Sequence, residues 1–127
     1  MTPWAAWIAV PIFFGMMIFQ ILLALGLPWG KIAWGGNHRV LPFTLRIGSL
    51  ISAGIFLLAL MVTLQRAKIV LVFNWPILED ILIWFFVGLL TLSTLGNLTS
   101  ESRLEKKIMT PIALVLMLLC LLIALEI

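Results

Sequence analysis

A chain of 127 residues that is 64% apolar and 10% charged, with mean hydropathy +1.25, is no water-soluble globule. A domain this small has too little interior to hide that much apolar surface. Its formal charge of +3 would suit nucleic acid, but the eight Lys and Arg sit in short clusters between apolar runs, the pattern of a membrane protein.

A hydrocarbon core of about 30 Å needs roughly 20 helical residues at ~1.5 Å each. Four runs reach that length, at about 4–27, 42–65, 76–97 and 108–125. They are continuous and lack the alternation of a spanning strand. The prediction is an all-α polytopic membrane protein, a single domain of four transmembrane helices over 1–127.

The first run has no basic leader, and its apolar stretch is too long for a secretory signal, so it reads as a retained helix. Gln20 is its one strongly polar interior side chain, and Pro11 is expected to bend it. The connector that follows, "GLPWGKIAWGGNHRVLP", holds the only histidine, His38. Pro28, Gly30, Gly35 and Gly36 interrupt helix and permit tight turns. Trp29 and Trp34 suit the headgroup level, and Lys31, Arg39 and Arg46 reach toward lipid phosphates. The plain reading is an interfacial connector. The sharper one is an anion or headgroup site, with backbone N–H groups around "GGN" beside Arg39.

Pro42 is placed in the first turn of the second helix. That helix carries two small-xxx-small pairs, Gly48 with Ser52 and Ser49 with Ala53, which allow close helix approach. "KIVLVFNWP" either lies along the interface or extends the helix, and "NWP" turns the chain. The third helix opens on Pro76, with Glu79 and Asp80 near the positive end of its dipole. Its later half concentrates intramembrane polarity in Thr91, Ser93, Thr94 and Asn97. Hydrogen bonding between helices is the default use of such hydroxyls, and a polar ligand path is the alternative. Spans without a central charge argue against a proton relay or voltage sensor.

"SRLE", Ser102 to Glu105, fits a capping box and would start the fourth helix early, whereas "TP" at Thr110 and Pro111 offers a competing start. The third connector is either a solvated helix start or one half of a cap shared with the first connector. In that second case His38, Arg39, Arg46, Asn97, Ser100, Glu101 and Glu105 would gather into a ligand or headgroup site. A surface or structural role for His38 outweighs catalysis, since it has no second histidine for a familiar metal set. No G-x-S-x-G elbow appears. Cys120, the only cysteine, excludes an intrachain disulfide and reads as packing. No catalytic, metal or cofactor residue is assigned.

The first and third connectors share one side of a four-span bundle and carry Lys31, Arg39, Arg46, Arg103, Lys106 and Lys107, against Arg66 and Lys68 in the second. The positive-inside bias puts those six cations in the cytoplasm and both termini outside, in a multi-pass protein of the cell membrane.

The pattern PWG, a glycine pair, LP-x-x-x-R, then N-x-x-S-x-S-x-x-E and a later proline resembles a family of small bacterial four-helix membrane proteins without an assigned activity. Here it falls on Pro28 to Gly30, Gly35 and Gly36, Leu41 to Arg46, Asn97 to Glu105, and Pro111. The resemblance implies a fold and no chemistry. "TLSTL", Thr91 to Leu95, is similar to the threonine–serine run of the fluoride-channel family. Leu92 and Leu95 stand where that family has phenylalanines, and its second-span asparagine has no counterpart in "IGSLISAGIFLL". The first expectation is therefore a non-enzymatic membrane component that binds a lipid, a hydrophobic solute or a partner subunit, with homo-oligomers allowed and nucleic acid excluded. A small channel or transporter comes second, and an enzyme acting on lipid headgroups third.

Overall fold

The structure, a computed structural model, describes residues 4–125. They form four α-helices and two short 3₁₀ turns, with no strand among the described residues: α1 (Trp4–Ala24), turns at Gly30–Ile32 and Trp34–Gly36, α2 (Phe43–Arg66), α3 (Pro76–Leu98) and α4 (Arg103–Ala124). All four helices are long and apolar enough to cross a membrane. Only 22% to 39% of each helix's most apolar window is buried inside the bundle, so most of its apolar surface is left for lipid.

α1 packs along α2 and α3 along α4, and α2 touches α3 far less than it touches α1. The core lies toward the second connector, where the small residues Ala5, Ala6, Ala9 and Ala59 let the helices close around Phe13, Ile83, Phe86, Leu116 and Ile123. Cys120 is buried within it.

Helix ends follow local chemistry. α1 stops at Ala24, earlier than the sequence predicts, because Gly26 takes φ +98° and closes a Schellman motif. In that motif Leu27 N–H donates to the Leu22 carbonyl at 3.2 Å and Gly26 N–H to Leu23 at 3.1 Å. Pro42 caps α2 from outside the helix. α4 starts at Arg103, well before residue 108, and runs through Pro111 without a break: the Ser102 cap prevails over the later proline. Pro11 likewise sits inside an unbroken α1.

α2 ends in the same motif as α1, with Ile69 N–H bonded to the Leu64 carbonyl at 3.0 Å and Lys68 N–H to Gln65 at 2.9 Å. Here the left-handed position is Lys68 at φ +62°, where a Cβ is unfavourable. Lys68→Gly is expected to stabilise the fold by about 1 kcal/mol, read as a rise in the midpoint of reversible unfolding in mixed micelles. An unchanged or lower midpoint would contradict that cap geometry.

The second connector leaves the helix at Arg66 rather than extending it. Gln65, almost wholly buried, accepts from Val72 N–H at 2.9 Å and Phe73 N–H at 2.8 Å, and its amide donates to Glu79 at 3.0 Å. Arg66 pairs with Asp80, lies 3.7 Å from Glu79 and donates to the Ala124 carbonyl at 3.1 Å, tying α2, α3 and the end of α4 together.

Candidate functional site

At the opposite end the first and third connectors fold against each other. Ser102 caps α4 by accepting from Glu105 N–H at 3.2 Å, while its hydroxyl donates to the Lys31 carbonyl at 2.6 Å. A capping box would send the Glu105 carboxylate back to Ser102 N–H. Ser100 Oγ occupies that donor instead, at 3.1 Å, and Glu105 reaches across to accept from Gly35 N–H at 3.0 Å. Glu105 is only 6% exposed, so this backbone N–H compensates part of the cost of burying a carboxylate. Glycine is required beside it. Gly36 has φ +73°, and a Cβ there would meet Ser102 Cβ at 2.5 Å.

Trp34 is held by the same cap. It takes φ +52°, unusual for a bulky residue, and its indole N–H donates to the buried Ser49 hydroxyl at 2.9 Å. The ring lies over Gly48, where a Cβ would come within 3.0 Å. Gly48 and Ser49, which open the small pairs of α2, thus seat an aromatic ring, and Trp34 does more than mark the interface.

Below the cap the bundle opens. A cleft of about 230 Å³ lies among α1, α2 and α3, with Phe13, Phe56, Phe86 and Leu90 as its apolar walls and Gln20, Ser52 and Ser93 as its polar groups. A second space of about 200 Å³ shares Gln20, Ser52, Phe56 and Ser93 with the first, and extends to Asn97, Glu105 and Trp34 under the cap. The two spaces adjoin at these shared residues, and the first reaches Phe13 and Phe86 of the apolar core. Sparse packing between α2 and α3 leaves room for this space. Ser52 donates to its own helix at Gly48, 3.0 Å away, and keeps its lone pairs free. Gln20 Oε1 is buried with no partner among the described residues.

The residues singled out from sequence are divided by the fold. Asn97, Glu105 and Ser93 line the cleft. Thr91 and Thr94 do not, and each hydroxyl donates at 2.8 Å to its own helix, to Val87 and Leu90. Arg46 turns inward and donates to the Ala24 carbonyl at 2.9 Å, capping α1. Arg39 accepts Gly30 N–H through its carbonyl at 2.8 Å, and its side chain stays exposed. His38 and Glu101 are exposed, and His38 bonds to neither Glu101 nor Glu105. Ser100 serves the turn before α4. Among the described residues no three of His, Cys, Asp and Glu gather closely enough to hold a metal ion.

Two features are evident only in the fold: the convergence of Gln20 with Ser52 and Ser93 on one cleft, and the Gln65 staple. Gln20 carries a readable signal, a lone amide inside an apolar span. Gln65 carries a fainter one, since Gln65 and Arg66 end one helix while Glu79 and Asp80 begin the next. The chain matches no protein-family model, no curated protein and no solved structure, and what the site does follows from its own residues.

Proposed function

We infer that this chain is a small multi-pass membrane component that holds a hydrophobic solute bearing one polar group, in the cleft among α1, α2 and α3. The observation that carries this reading is the unpartnered Gln20 oxygen at the junction of the two spaces. A buried acceptor without a donor costs about 1–3 kcal/mol, and a solute hydroxyl or amide would recover it while its apolar body lies against Phe13, Phe56 and Phe86. The positive-inside bias orients the cap toward the cytoplasm, which lets the solute enter laterally from the bilayer or from beneath the cap. Phe13 and Phe86, on the cleft's lining, belong to the packed core, which favours holding over conduction.

Photolabelling in liposomes with a diazirine-bearing long-chain alcohol tests this. Adducts are expected on α2 and α3 peptides containing Ser52, Phe86 and Ser93. Gln20→Leu is expected to reduce them about tenfold, the equivalent of ~1.4 kcal/mol for one buried hydrogen bond. Labelling spread evenly over the lipid-facing surface, or unaffected by Gln20→Leu, would sink the assignment.

A further inference from the structure

We propose that the seam between α1 and α4 binds one anionic phospholipid, with its phosphate at Lys31 and Arg39 and an acyl chain along the seam. This site shares none of the polar groups of the cleft described above, although Ile32 and Met16 border both. A groove of about 320 Å³ lies between the first connector and the start of α4, with Ile32, Leu104 and Ile108 as apolar walls and Lys31 and Arg39 on its lining. Farther along α4 lies a purely apolar groove of about 440 Å³, bounded by Ile12, Gly15 and Met16 on α1 and by Pro111, Ile112 and Val115 on α4.

The two grooves belong to one track. Leu104, Ile108, Ile112 and Val115 recur at helical spacing and share a face of α4. From Leu104 to Val115 the helix rises about 16 Å, close to the depth of one leaflet of a core about 30 Å thick. The track therefore starts at cations where α4 enters the bilayer and becomes wholly apolar within it, the same polarity sequence as a phospholipid.

The backbone that carries both cations is held in place. The Lys31 carbonyl accepts the Ser102 hydroxyl at 2.6 Å, and Gly30 N–H bonds the Arg39 carbonyl at 2.8 Å. Gly30 must be glycine, because a Cβ there would collide with the His38 carbonyl. Trp29 stacks on Phe19 at 6.4 Å between centroids and anchors this strap to α1. Neither the Lys31 nor the Arg39 side chain has an acid of the chain beside it among the described residues, and two cations at an apolar groove complement a phosphate. Gly15 widens the lower groove, since a Cβ there would meet open space.

Native mass spectrometry of the full chain in neutral detergent, titrated with phosphatidylglycerol and phosphatidylcholine of matched chains, tests the site. Wild type is expected to retain the anionic lipid about 30-fold better, the size expected of two cations at a phosphate. Lys31→Ala with Arg39→Ala is expected to erase that preference, whereas Lys106→Ala, outside the groove, preserves it. Gly15→Phe, whose Cβ enters open space, is expected to weaken both lipids while leaving their ratio unchanged. Equal retention of the two lipids by wild type, a preference that survives the double substitution, an equal loss on Lys106→Ala, or wild-type binding of both lipids by Gly15→Phe would each overturn the proposal.

Discussion

Gln65→Leu is expected to destabilise the fold by about 3 kcal/mol or more. The substitution removes the acceptor shared by Val72 and Phe73 N–H and the donor that meets Glu79. Each buried group left unpaired costs about 1–3 kcal/mol, and water at the surface recovers only part of that. Because the carboxylate of Glu79 also lies near Arg66, the loss spreads to the pairing that joins α2, α3 and α4. Reversible unfolding in mixed micelles measures the total, and amide exchange at Val72 and Phe73 localises it. Gln65→Glu keeps the acceptors but sets a second carboxylate against Glu79, so an intermediate loss is expected. Unchanged exchange at Val72 and Phe73 in Gln65→Leu would rule out the staple.

The second large effect is at Gly36. Gly36→Ala forces a side chain into φ +73°, and its Cβ would meet Ser102 Cβ at 2.5 Å and the Lys31 carbonyl at 2.9 Å. The left-handed conformation alone costs about 1–2 kcal/mol, and relieving the collision parts the two connectors. The total is expected to reach about 3 kcal/mol, with faster exchange at Gly35, whose N–H is bonded by Glu105. Gly35→Ala isolates the two terms. Gly35 has φ +79°, but the nearest atom a Cβ would meet is Asn37 Nδ2 at 3.7 Å. It therefore bears only the conformational cost. Equal losses in the two variants would show that the connectors do not approach as closely as described.

The helices were the legible part. Continuous apolar runs of spanning length have one favourable arrangement in lipid, with backbone polar groups satisfied within each segment. Helix ends were legible where one residue dominates, as at Pro76, and left open where Ser102 competed with Pro111. They were less so where competing signals met, and the first helix ended early because a Schellman turn closed on Gly26. The candidate residues were harder to place. Arg46 and Arg39 look equivalent as basic residues of one region, yet one is turned onto the Ala24 carbonyl and the other is left on a groove. Thr91, Ser93 and Thr94 look like one polar run, yet only Ser93 lines the cleft.

Composition and hydropathy alone determined the all-helical membrane architecture and the number of spans, because lipid imposes that solution on any chain this apolar. Tertiary structure alone decided that Glu105 leaves its own helix for Gly35, that Gln20 faces the same cleft as Ser52 and Ser93, and that Gln65 closes the far end. Those partners lie on separate helices or on the connectors between them. Which polar groups meet depends on how the helices rotate and approach, and small residues packed at the contacts set that geometry.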